Sequence, residues 1–168
     1  MKTLTEQLAQ YAEYHRHPRN IVTHFVGIPM IVVAIAVLLS RPIFAIDNFT
    51  LSPAVLATIA ALVFYFLLDI GFGLIMTVLM GMALWFGAWS AAQSTSLWLA
   101  IGLGGFLVGW VFQFIGHYFE GRKPAFVDDL VGLLIGPLFV VAEVLFLLGL
   151  RKDLQSAIEA RAGALRQW

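Results

Sequence analysis

Tyr14-His15-Arg16-His17-Pro18-Arg19-Asn20-Ile21-Val22-Thr23-His24 is where the chain changes character. The residues before it are mostly polar. From His24 to Ser40 they are almost all apolar. Three of the four histidines lie in the stretch. The fourth closes a later apolar run, in Gly116-His117-Tyr118-Phe119-Glu120. The switch from polar to apolar decides the fold: hydrophobic segments form a membrane frame, and the polar chemistry gathers at their ends. The frame is expected to bring the N-terminal histidines against His117 and Glu120.

Composition supports that reading. The 168 residues are 61% hydrophobic and 12% charged, with a mean hydropathy of +0.90. Soluble domains are nearer half apolar and a quarter charged. The predicted class is therefore all-α, a polytopic membrane bundle of four to five apolar segments with amphipathic helices at both termini. One integral membrane domain is expected over 1–168. Within it, 1–20 forms a helix and the histidine turn, 24–150 the membrane segments, and 151–168 a soluble tail helix. The formal net charge is zero, so nothing points to nucleic acid. There is no cysteine, so any metal must take nitrogen or oxygen ligands. Lys2 to Asn20 has no apolar core and does not read as a signal peptide.

Outward from the opening stretch, Thr3 to Arg16 has helical spacing at Leu4, Leu8 and Tyr11, and Glu6 follows Thr3 as in a capping box. Pro18 is expected to end this helix. The apolar runs are His24–Ser40, Leu51–Leu68, Leu74–Ala92, Leu97–Ile115 and Leu130–Leu150. The turn at Asp69-Ile70-Gly71-Phe72-Gly73 makes a hairpin of the second and third, and Asp47-Asn48 marks a loop. Trp85, Trp89 and Trp98 suit membrane interfaces. Gly102, Gly104, Gly105 and Gly109 allow close helix approach.

Nine of the ten basic residues fall in the N-terminal segment, the loop after the fourth run, or the tail; Arg41 is the exception. The positive-inside tendency puts all three regions in the cytoplasm. That arrangement needs four crossings and a last segment that returns to its own side, bent at Gly136-Pro137. Both termini are then cytoplasmic, in a bacterial inner membrane or, in a eukaryote, the endoplasmic reticulum.

His15 and His24 would point about 180° apart on one helix, at ~100° per residue. A break at Pro18 lets them converge. His117 and Glu120 share a helix face if their helix continues that far. Imidazoles with a carboxylate suit iron, zinc or manganese, and a histidine set with open positions is compatible with oxygen-activating ferrous iron. The bland reading is interfacial histidines bonded to lipid headgroups. His17 reads as a solvated surface residue. Asn20 reads as a helix cap or as a group orienting a ligand histidine. Asp128 and Glu143 are buried-charge candidates. For Asp69 the turn reading prevails. Arg122 and Lys123 read as anions' partners or as positive-inside anchors, Tyr14 and Tyr118 as site lining or interfacial aromatics, and Gln113 as an interhelical or site-facing amide.

Tyr14-His15 with Pro18-Arg19-Asn20 and His24, then Pro29, and later Gly109 through His117 with Glu120, Arg122, Pro124-Ala125 and Asp128, resemble the 2-hydroxy fatty acid dioxygenase family. The resemblance is densest in residues 11–29 and 109–149. It implies an iron(II) enzyme of fatty acid α-oxidation: oxygen attacks a 2-hydroxy fatty acid, C1–C2 breaks, and a fatty acid one carbon shorter results. It implies His15, His24 and His117 as iron ligands. With it come the remaining expectations: Glu120, Asn20 and Asp128 as catalytic supports that orient the ligands, and Arg122, Lys123, Tyr14 and Gln113 as substrate-binding groups. The partners are the 2-hydroxy fatty acid, molecular oxygen and membrane lipid, and a homo-oligomer is compatible with them. The rival is a small non-enzymatic transporter or assembly protein. It predicts scattered imidazoles where the enzyme predicts converging ones.

Overall fold

The computed structural model describes residues 2–41, 43–46, 49–124 and 129–166. In chain order the elements are α1 (Leu4–Ala12), α2 (Pro18–Ser40), β1 (Phe44–Ile46), β2 (Phe49–Leu51), α3 (Pro53–Leu68), α4 (Ile70–Ala91), α5 (Thr95–Glu120), α6 (Gly132–Leu147) and α7 (Lys152–Ala162). The protein is helical, as predicted. The one addition is a short antiparallel hairpin pairing Phe44 with Leu51. The predicted loop residues Asp47 and Asn48 lie outside the described residues.

α1 begins where its capping box directs. Thr3 N–H donates to Glu6 Oε2 at 2.8 Å, and Glu6 N–H returns to Thr3 Oγ1 at 3.3 Å. The helix stops at Ala12 rather than running to Arg16. The N–H groups of Arg16 and His17 donate to the Glu120 carboxylate instead, and Arg16 Nε–H takes the Ala12 carbonyl at 2.9 Å. Pro18, expected to end α1, opens α2. At a first helical position its missing N–H costs nothing. Two boundary shifts matter for the site: α2 starts at Pro18 rather than His24, and α5 runs to Glu120 rather than Ile115. His24, His117 and Glu120 are therefore all helical.

The bend expected at Gly136-Pro137 lies farther on. Pro137 sits inside α6, and the chain turns by 117° between α6 and α7. Leu150 N–H bonds to the Leu145 carbonyl and Gly149 N–H to that of Phe146, with Gly149 at φ +73°. This closure of a helix end needs a left-handed residue after the last turn, which glycine adopts without a Cβ clash.

α2, α4 and α5 are long and apolar enough to cross a membrane. The bent pair α6–α7 makes a fourth if it counts as one broken span. α3 is equally apolar but has 16 residues, about 24 Å at ~1.5 Å per residue, against a hydrocarbon core of ~30 Å.

The chain forms two compact units, 1–28 with 110–168, and 29–109. In the second, Asp69 stands between α3 and α4 in extended conformation and its Oδ1 accepts Phe72 N–H at 3.0 Å, the turn role read from sequence. Ser40 Oγ donates to the Gly87 carbonyl at 2.8 Å. Arg41, the isolated basic residue, lies over Trp98 and donates to the Gln93 carbonyl. In the first unit α1 packs on α6 and α7. Its core holds Leu8, Ala12, Leu138, Phe139, Ala142 and Ile158, and with them three histidines.

Candidate metal centre

His15 sits in the turn after α1, His24 in the second turn of α2 and His117 in the last turn of α5. Their exposures are 0%, 1% and 6%. One ring nitrogen from each lies within 4.8 Å of the others. Protonation follows from the backbone. His15 Nδ1 is 2.7 Å from the Tyr11 carbonyl and His24 Nδ1 is 2.9 Å from the Asn20 carbonyl. A carbonyl only accepts, so both Nδ1 atoms carry the proton and both Nε2 atoms present lone pairs. Those two Nε2 atoms face each other at 3.0 Å. Two buried lone pairs so placed repel unless a cation lies between or beside them. A proton is disfavoured, because burial, reinforced by His24, holds the His15 pKa well below its ordinary value. The third imidazole adds a buried Nδ1 with no hydrogen-bond partner. An all-nitrogen, neutral, desolvated set of this kind fits a divalent transition metal.

Glu120 holds the turn that carries His15. Its Oε2 accepts Arg16 N–H at 3.0 Å, His17 N–H at 2.8 Å and Asn20 Nδ2 at 3.0 Å. Asn20, fully buried, also donates to the Tyr14 carbonyl, while its own carbonyl fixes His24. One carboxylate and one amide thereby tie the α1–α2 turn to α5, while the backbone carbonyls of Tyr11 and Asn20 set two of the three rings, the supporting arrangement metal-bound histidines require. Gly116 makes the approach feasible: a Cβ there would collide with Thr23 Oγ1 and Asn20 Oδ1 and stand 3.1 Å from His24 Nδ1. On the other side the Tyr11 ring stacks on His15, centroids 4.1 Å apart and 6° from parallel, with Phe139 behind both. Gly136 leaves the room Tyr11 fills, since a Cβ would be 3.0 Å from its hydroxyl.

Gln113 lies one helical turn before His117 on α5. It is 6% exposed and its Nε2 has no hydrogen-bond partner. Tyr14 lines a cleft of about 20 Å³ with Gln7, Gln10, Tyr11 and Asp129, which has room for about one water. The basic pair is on the surface: Arg122 is exposed and donates to the Glu13 carbonyl at 2.9 Å, and Lys123 is exposed. Tyr118 is 83% exposed, as an interfacial aromatic would be. His17 is not simply solvated. It is half-buried, stacks on Phe119, and its Nδ1 accepts Arg19 N–H at 3.2 Å, capping α2. Asn20, read as an alternative cap, stands inside the helix instead. Glu143 is half-buried in α6. Asp128 lies outside the described residues.

The model of the family described as 2-hydroxy-palmitic acid dioxygenase Mpo1-like matches residues 1–148. The chain belongs to the Mpo1-like family. It is 35% identical over 162 residues to the 2-hydroxy-palmitic acid dioxygenase MPO1 of Saccharomyces cerevisiae, covering 93% of this chain and 87% of that protein. No solved structure matches. The match to the Mpo1-like family spans both halves of the histidine cluster, Glu120 included, and stops before α7.

Several residues around the cluster escape a reading by residue type. Tyr11 reads as an apolar helix position, yet it supplies both a stacking ring and the carbonyl that sets His15. Its signal is spacing: Tyr11 to His15 repeats the interval from Asn20 to His24, and in both pairs the earlier residue's carbonyl takes the later imidazole's N–H. Arg16 is 6% exposed, with its guanidinium on the carbonyls of Ala12, His15 and Gly163. Nothing local in the sequence marks it.

Proposed function

We propose that this protein is a membrane-embedded iron(II) dioxygenase that cleaves C1–C2 of a 2-hydroxy fatty acid, releasing a fatty acid one carbon shorter. The observation that carries the proposal is the pair of His15 and His24 Nε2 lone pairs facing each other at 3.0 Å beside His117. The similarity to a 2-hydroxy-palmitic acid dioxygenase supports the reaction class. Converging imidazoles favour the enzyme over a transporter.

His15, His24 and His117 would hold the metal. The chemistry such a metal would supply, were it iron(II), is electron donation to molecular oxygen, with positions left for the substrate's carboxylate and hydroxyl. The carbonyls of Tyr11 and Asn20 keep the Nδ1 protons in place, so both rings present Nε2 without a tautomer change. Glu120 and Asn20 position the ligands and do not themselves react. Gln113 Nε2, buried and unpartnered, donates to the carboxylate end of the substrate. It suits that role better than Arg122, whose guanidinium is held at the surface by Glu13. Phe139 and the Tyr11 ring exclude water from one side of the cluster.

The reaction balances without a further reductant. C2 rises from alcohol to carboxyl and C1 leaves as carbon dioxide. Together these oxidations match full reduction of one oxygen molecule, with water as the other product. An acyl substrate suits a site at the end of a long apolar helix. α5 has 26 residues, about 39 Å at ~1.5 Å per residue, more than a ~30 Å hydrocarbon core, so its last turn reaches the interface. The basic segments beside the site favour the cytoplasmic side for that interface and for both termini.

Metal analysis combined with oxygen uptake on 2-hydroxypalmitate tests the proposal. The wild type should retain iron and consume oxygen, and His117→Ala should do neither. Oxygen uptake that survives His117→Ala, or iron-free protein with full activity, removes it.

A further inference from the structure

The segment after α7 returns to the histidine turn. Arg166 N–H donates to the Arg16 carbonyl at 2.9 Å. Its guanidinium reaches Glu120 twice, with one nitrogen 3.5 Å from Oε1 and the other 3.4 Å from the backbone carbonyl. In the opposite direction, Arg16 donates from its guanidinium to the Gly163 carbonyl at 2.8 Å. Two arginines thus clasp the turn and the tail reciprocally. Arg16 is buried, which lowers its pKa against the opposing fields of Glu143, Glu159 and Glu120. Its charge is kept in place by the carbonyls it meets.

Glu120 explains why the clasp matters. Its side chain is 0% exposed. Oε2 is occupied by three N–H donors, and Oε1 has no hydrogen bond. Among the described residues the Arg166 guanidinium makes the ion pair with Oε1, and Arg16 adds a further positive field. Exposed ion pairs contribute little. This pair is different on one side, because removing the partner of a buried carboxylate leaves an uncompensated charge where water does not reach. The same carboxylate holds the turn that presents His15.

We propose that Arg166 is a positioning residue: by neutralising Glu120 and pinning the Arg16 carbonyl, the C-terminal tail locks the turn that sets His15 for metal binding. The role rests on the metal-site reading above. It lies beyond the residues matched by the family model, which end at 148.

Arg166→Ala, Arg166→Lys, Glu120→Gln and the double variant Arg166→Ala/Glu120→Gln test it in the full-length detergent-solubilised protein. Two readouts are taken: anaerobic iron(II) titration, and hydrogen–deuterium exchange of residues 13–17 in metal-stripped protein. Arg166→Ala should weaken iron(II) binding by about 10-fold, the lower end of the effect of groups that support metal ligands, and should speed exchange across 13–17. Arg166→Lys restores the charge and should recover much of both. The double variant should bind no more weakly than Glu120→Gln alone, because with the carboxylate neutral Arg166 has no charge to compensate. Wild-type affinity and exchange in Arg166→Ala would overturn the proposal, as would losses in the double variant that simply add. If the wild type binds no iron(II), the metal reading falls, and exchange across 13–17 still decides whether the clasp locks the turn.

Discussion

Replacing Glu120 by glutamine isolates its charge with little change of shape. Three donors converge on Oε2, from Arg16 N, His17 N and Asn20 Nδ2, at 2.8–3.0 Å. A hydrogen bond to a charged group contributes ~1.5–3 kcal/mol and a neutral one ~0.5–1.5 kcal/mol. Each of the three bonds therefore loses about 1 kcal/mol, and the turn loses about 3 kcal/mol in all. At ~1.4 kcal/mol per decade that is about a 100-fold change in the opening equilibrium of residues 13–17. Metal affinity falls by at most that factor, because binding weakens in proportion to the fraction of molecules in which the turn is closed. The expected result is much faster exchange at the Arg16 and His17 amides, with iron(II) binding weakened by between ~10- and ~100-fold. Alanine is harsher. It strands all three donors without an acceptor, at ~1–3 kcal/mol each, a large share of a stability of ~5–15 kcal/mol. Unchanged exchange at Arg16 and His17 in Glu120→Gln would refute the view that this carboxylate organises the turn.

Two further outcomes follow from the same geometry. Gly116→Ala places a methyl against Thr23 Oγ1, Asn20 Oδ1 and His24 Nδ1; it should cost ~1–3 kcal/mol by overpacking and weaken metal binding, read by thermal unfolding and iron(II) titration, and wild-type affinity would show that α2 and α5 need not approach so closely. The second concerns pH in the metal-stripped protein. The His15 pKa is depressed on folding from an ordinary 6.5, so the unfolded chain takes up a proton that the folded chain resists. The contribution of His15 should therefore be flat above pH ~6.5 and be lost as pH falls below it, by up to ~1.4 kcal/mol per pH unit, until the folded pKa is reached. His15→Gln should reduce the slope by up to that amount, measured as the pH dependence of thermal unfolding; a slope unchanged by that substitution would count against a buried neutral His15.

The apolar runs were legible because long apolar segments are a compositional feature, and a helix runs through each of them. What escaped the sequence was the ends, and the reason is physical. Helix limits here are set by partners distant in sequence. α1 gives way after Ala12 to short turns, the Tyr14 and His15 amides returning to the Tyr11 and Ala12 carbonyls, and Glu120 then takes the amides of Arg16 and His17; no propensity within residues 3–16 encodes that. Pro18 marks a boundary in the sequence without its sense, since proline both ends one helix and starts another, and only the neighbouring contacts decide which; here it starts α2. The histidines announced themselves by type, and the position of Pro18 correctly suggested that His15 and His24 meet. Glu120 announced itself less clearly, because its three donors lie about a hundred residues earlier in the chain. Arg166 and Gly116 carried no local signal. One acts through a contact 46 residues away, and the other matters for the side chain it lacks. The division runs along chemistry: ligand atoms belong to residue types that a sequence displays, whereas the groups that hold those ligands are mostly backbone carbonyls, amides and missing methyls. Such groups are present at every position of every chain, and only the fold determines which of them do the holding.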